Sequence, residues 1–483
     1  MKNIFVITIA VFITNISFGQ TPTFQVSINN TGGTQSNQMY DAKADASGNV
    51  YFCGKRIDVI TFSGTTLNAG IGGVYFGKAN SAGVISWLKG GGTTMANGDA
   101  AYDVALDQNN NIYICGGVTT LSTAIFDGVS MAFANPGFVL KVDNNGNVLW
   151  VEGYGSPVYG IAVDNNNVPV INIGTNTIAK IDASNGAIVN SVSFSGDLQS
   201  PFLHNVEVDA NNNIIVQGGN KILKFDSSLN QLWSTPVTFS LAETFRLNLD
   251  NSGNVYASFY ALFGTVTVGT ITKSNFPNGY IYKLDNATGQ PLFVDSVLIA
   301  GAASKIKEVI PDNSGNYYIM GDGSFNTPHI VKMTSAYATL WDRALDNNAG
   351  LIELDLLSEN CLLTCGKHDG TFVLDATTLS LPAGSGVIDN SFMTFLCDGT
   401  VGLNDDGLKV EELNVYPNPA NNEIHFNSEN IAEVVLTDIT GRKCSFSVKP
   451  SGILDVSDIT PGMYVLTLKA NDGNIRTAKF VKE

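Results

Sequence analysis

Charge is scarce in this chain. Asp, Glu, Lys and Arg make up only 14% of its 483 residues, and the basic ones are scarcer, 26 against 43 acidic. A formal net charge of −17 excludes nucleic acid and anionic membrane as partners, since both demand clustered Lys and Arg. Histidine is rarer still. His204, His329, His368 and His425 are scattered without metal-ligand spacing, and the chain has no His-Glu-x-x-His, nucleophile elbow or phosphate loop. No catalytic, cofactor-binding or metal-ligating residue is therefore assigned. After the first twenty residues no run of eighteen apolar residues occurs, so no transmembrane segment is expected.

Cysteine is also sparse, with 6 in all. Cys53, Cys115 and Cys365 each stand directly before a glycine, at one position of three similar segments. That placement reads as small buried hydrophobes. Cys361 and Cys365, four apart on one expected strand, share a face at a distance no disulfide spans. Free structural thiols are the expectation, with the disulfide state open.

What is abundant is glycine, 49 residues, together with asparagine, in a chain that is 44% hydrophobic. This is a strand-and-turn composition with ample material for a core. The N-terminus reads as an export signal over residues 1–19: Lys2, an apolar run from Ile4 to Phe18, and small residues before Gln20.

Internal repetition then decides the architecture. Asp45-Ala-Ser-Gly-Asn-Val-Tyr-Phe-Cys-Gly54 returns at Asp107–Gly116, Asp209–Gly218, Asp250–Phe259 and Asp312–Gly321. Looser copies run from Asp164 to Gly174 and from Leu357 to Gly366. Between copies falls a second motif, Phe138-Val-Leu-Lys-Val-Asp-Asn-Asn-Gly-Asn-Val-Leu-Trp150. Lys78 with Trp87, Lys224 with Trp233 and Lys332 with Trp341 keep its nine-residue offset, and Lys180 and Lys283 head weaker copies. Each pair of motifs reads as two β-hairpins around Asn-Gly and Asn-Asn turns. The mean repeat from Asp45 to Leu357 is 52 residues, the length of one four-stranded propeller blade. The expectation is an all-β chain with a seven-bladed β-propeller over residues 20–402. The seventh repeat supplies only three strands, so the segment Phe24–Ile28 is expected to pair with the strand at Phe392.

These motifs resemble the bacterial β-propeller repeat family of secreted Bacteroidetes proteins. Asp285-Asn-Ala-Thr-Gly289 is similar to a quinoprotein-type blade and the Gly116-Gly117 doublet to a kelch blade, but neither pattern holds in all copies. The Asp143-Asn-Asn-Gly-Asn147 type of cluster lacks the later Glu of a calcium loop, and a hairpin turn explains it. Trp87, Trp150, Trp233 and Trp341, repeated at one strand position, read as packing residues before sugar platforms.

After a linker at 403–412, residues 413–483 alternate as about seven short strands and read as a small Ig-like β-sandwich. The string Tyr416-Pro417-Asn418-Pro419, then Gly462-Met463-Tyr464, then Lys479 to Lys482 closely resembles the type A sorting domain of type IX secretion. The resemblance implies passage through the periplasm and recognition by the translocon. It also implies removal of the domain by a sortase-like peptidase, leaving the body secreted or on the outer cell surface. Two functions fit such a body. One is a non-catalytic scaffold binding an extracellular glycan or protein. The other is a propeller enzyme, a lyase or hydrolase of extracellular polysaccharide. The second gains if Glu207, Glu308, Glu353 or His204 gather in one pocket.

Overall fold

The computed structural model describes residues 22–397 and 411–483, short internal stretches aside, the longest being 195–205 and 382–388. The expected export signal, His204 and most of the expected linker lie outside the described residues. The chain divides into two units, Met1–Thr400 and Val401–Glu483. Among the described residues every regular element is a strand apart from isolated turns, and there is no α-helix.

In the first unit each sheet is built on a four-stranded antiparallel meander, the first being extended by the short strands Ile125–Phe126 and Val129–Ser130. Successive sheets open with the strands Gln38–Ala44, Ala100–Leu106, Val158–Val163, Val206–Val208, the C-terminal half of Gln231–Leu249, Lys305–Pro311 and Ala349–Ser358. The long strand Gln231–Leu249 ends the fourth sheet and begins the fifth, pairing Lys221–Phe225 through its first residues and Val255–Val268 through the rest. In the seventh sheet Thr23–Asn29 pairs antiparallel with Asn390–Cys397, Phe24 facing Leu396 and Ile28 facing Met393. The N-terminal segment thus partners the Phe392 strand, 392 facing Asn29.

The repeated residues explain why these strands form and turn. Asp45 accepts the backbone N–H groups of Ser47 and Asn49 on one carboxylate oxygen, each at 2.9 Å, and the Asn49 side-chain amide on the other at 2.8 Å. The same clamp recurs at Asp107, Asp143, Asp209, Asp226, Asp250 and Asp312. It is an Asx-type turn in which the carboxylate replaces main-chain acceptors. Gly48, Gly146, Gly253 and Gly315 supply the positive φ that closes it, and Asn110, Asn167 and Asn212 do so where glycine is missing.

The lysine and tryptophan of the second motif stand in register with the tyrosine of the first. Tyr113 faces Lys141 and Lys141 faces Trp150 across three neighbouring strands. The Lys141 ammonium lies 4.8 Å from the Tyr113 ring centre, a cation–π contact repeated by Lys78 on Tyr51, Lys283 on Tyr256 and Lys332 on Tyr318. The lysines also reach the turn carboxylates, as Lys224 to Asp209 at 2.7 Å and Lys180 to Asp164 at 3.0 Å. The tryptophans tie sheet to sheet. Trp87 donates to the Asn144 carbonyl, Trp150 to Ala183 and Trp233 to Asn286, each in the next sheet.

Apolar cores fill the seams between consecutive sheets. Tyr51, Cys53, Ile114 and Phe138 join the first to the second, and Ile310, Tyr318, Leu354 and Phe392 join the sixth to the seventh. Ile28, Met39, Phe52, Leu363 and Met393 join the seventh to the first. The opening strands touch one another in order, and that of the seventh sheet touches that of the first.

One sequence expectation is corrected. Cys361 and Cys397 form a disulfide with Cα atoms 4.0 Å apart, because they are directly opposed on paired strands. Cys53, Cys115 and Cys365 are buried free thiols, and Cys444 is free as well.

The second unit holds a four-stranded and a three-stranded sheet around one core, to which Ile424 and Leu454 come from one sheet and Leu436, Leu466 and Phe480 from the other.

Candidate functional site

The opening strands of six sheets carry a β-bulge at one place, after Met39, Ala101, Val158, Thr244, Ile306 and Leu351. A bulge inserts a residue that the ladder cannot pair and turns the strand. Just beyond it the side chains are Asp41, Asp103, Gly160, Arg246, Glu308 and Glu353. All the charged ones are buried, Asp41 wholly so and Glu308 and Glu353 99% so. Charges buried this deeply must be paired or hydrogen-bonded.

They are, and largely to main chain. Asp41 accepts the N–H of Val104 at 2.8 Å, Asp103 that of Ile161 at 2.8 Å, and Glu308 that of Leu354 at 2.9 Å. In each case the carboxylate of one sheet takes an N–H just past the bulge of the next. Arg246 stands where the fifth sheet would place such a carboxylate. Its guanidinium pairs with Glu353, reaches Asp41 at 3.9 Å and donates to the Tyr40 carbonyl at 3.2 Å. Lys43 pairs with Glu353 at 3.0 Å and Asp355 at 3.8 Å.

Two positions further along the strands lie Lys43, Ala105, Ala162, Glu207, Asn248 and Asp355. These six line a cavity of about 330 Å³ whose walls also include Asp103 and Arg246. Its volume is at the lower end for ligand pockets. Asn248 donates to Glu308 at 3.0 Å, while the Glu207 carboxylate makes no hydrogen bond among the described residues. On the other side of the bulge, Tyr40, Tyr102 and Tyr159 form an aromatic arc with ring centres 5.9 and 5.4 Å apart.

The titration behaviour follows from this crowding. Burial, with Asp355 and Glu308 close by, pushes Glu207 up to about 7. Burial also raises Glu308 and Asp355, and raises Asp103 and Glu353 well above the usual carboxylate range, the Asp41 charge adding to the shift of Asp103. Asp41 is held low against its burial by Lys43 and Arg246. Burial raises Tyr40 to about 12.

The structure therefore brings Glu207, Glu308 and Glu353 into one charged network, with Glu207 in the cavity wall. The remaining histidines lie elsewhere. His329 contacts Asp342 at 2.6 Å, His368 contacts the Gly370 carbonyl and Asn29, and His425 stacks on Tyr416. Asp41, Asp103, Arg246, Lys43 and Asp355 were not foreseen. Their signal is a charge four residues before the turn position, seen at 41, 103, 246, 308 and 353, or two residues before it, seen at 43, 207 and 355.

In the second unit Asn418 donates to the Lys479 carbonyl at 3.2 Å and accepts the Val481 N–H at 2.9 Å. The Pro-Asn-Pro loop, residues 417–419, is thereby tied to the last strand. Tyr464 stacks on Phe480 and donates to the Thr460 carbonyl at 2.6 Å. Tyr416 and Met463 are exposed, and Lys482 is buried.

Two solved structures are similar to the chain at low identity. One is a protein of unknown function from Bacteroides caccae, 10% identical, with a TM-score of 0.37 over 64% of this chain and 94% of that one. The other is BamB from Moraxella catarrhalis, 12% identical, with a TM-score of 0.45 over 77% of this chain and 99% of that one. No curated protein sequence gives a significant match. Residues 414–483 match the family described as secretion system C-terminal sorting domain, and the C-terminal unit is accordingly a type IX sorting domain that directs the chain to the cell surface or beyond.

Proposed function

We propose that the first unit is a closed seven-bladed β-propeller acting, after type IX export, as a non-catalytic binding scaffold that holds its ligand in the central cavity. Support for the ring comes from the shared seventh sheet and from the apolar seam between the seventh sheet and the first. The Ig-like character of the sorting domain, its removal by a sortase-like peptidase, and the periplasmic route belong to the same reading.

The observation that carries binding over turnover is how the buried carboxylates are spent. A hydrolase or lyase needs an acid and a base free to exchange protons with substrate. Here Asp41, Asp103 and Glu308 hold main-chain N–H groups, and Glu353 and Asp355 hold cations. Glu207 alone stands uncommitted in the cavity wall. The ligand is an extracellular glycan or protein group small enough to enter.

A glycan and peptide array with the purified chain, paired with a product-release assay on the same ligands, tests this. Binding without release is expected. Release of soluble sugar or peptide, lost in Glu207→Gln, would establish the enzymatic alternative with Glu207 as its acid.

A further inference from the structure

One carboxylate of the central cavity is left without a partner. Asp41, Asp103, Glu207, Glu308, Glu353 and Asp355 gather at or just beneath it, against Lys43 and Arg246 alone. Both cations are already engaged, Lys43 with Glu353 and Asp355, Arg246 with Glu353 and Asp41. One group in the wall is left short of a partner. Glu207 makes no hydrogen bond among the described residues. Asn248 spends its amide N–H on Glu308, which leaves its amide oxygen as a further acceptor in the wall. The opposite wall is small and apolar, made by Ala105, Ala162 and Val206.

Glu207, once ionised, and the Asn248 amide oxygen are both acceptors, so the partner they call for is a donor, and the ionised Glu207 favours one that carries positive charge. A metal ion would require three or more ligating side chains converging on one point, and no such group occurs among the described residues. An ammonium has three N–H donors and needs only acceptors spread around it. We propose that the central cavity binds a primary ammonium group carried on a body no larger than a monosaccharide, with Glu207 as its counter-ion and Asn248 as a second acceptor. The proposal rests on the reading of the cavity as the ligand site and narrows it to one chemistry. An amino sugar and a lysine side chain both offer that group. A neutral sugar of the same size offers Glu207 hydroxyl donors but no positive charge, and binds more weakly for that reason.

Binding is coupled to protons. Glu207 is held near 7 by burial, so an arriving ammonium ionises it and expels a proton; affinity for a lysine-type ammonium, charged throughout, rises from pH 6 to pH 8, whereas an amino sugar, whose own amine loses its proton toward pH 8, gains only up to about pH 7.

Isothermal titration of the purified chain at pH 6, 7 and 8 tests this with two matched pairs: glucosamine against glucose, and Nα-acetyl-lysinamide against its norleucine counterpart. The expected result is binding of at least one ammonium member at pH 7, about tenfold or more tighter than its neutral match, with release of a proton, and with tightening from pH 6 to pH 8 where that member is the lysine analogue and from pH 6 to pH 7 where it is the amino sugar. Which pair responds identifies a sugar or a peptide source. Glu207→Gln and Ala162→Leu, the second filling the cavity without touching a carboxylate, should each weaken binding at least about tenfold. If Glu207→Gln does not fold, Ala162→Leu together with the pH series decides. Equal affinity for a neutral match, lost in Ala162→Leu, overturns the ammonium proposal and leaves the binding function standing. Ammonium binding that neither variant disturbs, or no binding of either ammonium probe, also overturns it.

Discussion

The Glu308 carboxylate accepts the backbone N–H of Leu354 at 2.9 Å, linking the opening strands of the sixth and seventh sheets across 46 residues of sequence. Its other oxygen takes the Asn248 amide at 3.0 Å, from the fifth sheet. One side chain thus joins three repeats through their opening strands. Glu308→Ala strands both donors in a buried site, and each costs about 1–3 kcal/mol. Chemical denaturation should show a loss of roughly 2–5 kcal/mol on that basis. Glu308→Gln, which retains one acceptor, should lose clearly less. Equal losses would show that Glu308 acts through its volume alone.

The Cys361–Cys397 bond fixes the strand that carries the N-terminal strand to its other neighbour, Thr23 lying directly opposite Cys397. Alkylation of the denatured, unreduced protein should label Cys53, Cys115, Cys365 and Cys444 only, and reduction should expose the other two. Cys397→Ser should lower stability by about 2–4 kcal/mol. Labelling of all six cysteines without reductant would contradict the bond.

Deleting residues 20–30 removes Phe24 and Ile28 from two seam cores, the partner of strand Asn390–Cys397, and the N–H that Asp375 accepts at 2.7 Å. Two buried side chains alone are worth about 1.5–3 kcal/mol each, and the bared edge strand invites aggregation. Melting of the first unit should fall by many degrees. Deleting 411–483 should leave that transition unchanged, because the second unit packs its own core. Identical melting of both truncations would refute this assignment of the N-terminal strand.

How far such relationships are legible in the sequence depends on what repeats. Asp45, Tyr51 and Lys78 recur with fixed offsets because each sheet needs the same turn clamp and the same in-register row. Repetition made the strands readable, and the gap in the seventh repeat pointed to Phe24–Ile28. The central cluster does not repeat in that sense. Position 41 is Asp, Asp, Gly, Arg, Glu and Glu in the sheets where its counterpart is described, since each charged residue answers a neighbour in another sheet and not its own. The disulfide escaped for a related reason. Cys361 was weighed against Cys365 on the same strand, whereas its partner lies 36 residues away on the adjacent one.

Stability should depend on pH in a direction opposite to that of most acidic proteins over one window. Glu207, Glu308, Glu353, Asp355 and Asp103 all have carboxyl groups raised on folding, burial being the first cause in each. The folded state therefore binds more protons than the unfolded state. The stability they contribute is complete below the ordinary carboxylate range and is lost as pH rises through the folded values. For Glu207 that window runs from 4.5 to about 7. The turn carboxylates oppose this, Asp45, Asp209 and Asp250 being lowered on folding despite partial burial by the N–H donors around them. Their contribution disappears as pH falls below 4. Denaturation midpoints should thus decline between pH 5 and 7 in the native chain, and decline less in Glu207→Gln. A midpoint rising across that interval in both would show that the buried carboxylates do not govern it.

Export processing gives the last test. The sorting domain has a separate core and a compact last strand, with the Asn418 loop bonded to Lys479 and Val481 and the Glu483 N–H donating to Ala420 at 2.9 Å. Cys397, the last described residue of the first unit, is held by its disulfide and by pairing on both sides. Between them lies only 398–410. A peptidase acting there cuts no described strand of either unit and removes no residue from a seam core, so cleavage should release the sorting domain and leave the body folded. Intact-mass analysis of protein from the cell surface or culture medium should find a chain that begins near Gln20 and ends between 398 and 410. Its melting temperature should equal that of the uncut form's first unit. A chain that starts near Gln20 and still ends at Glu483 outside the cell would mean that the domain guides export without being removed.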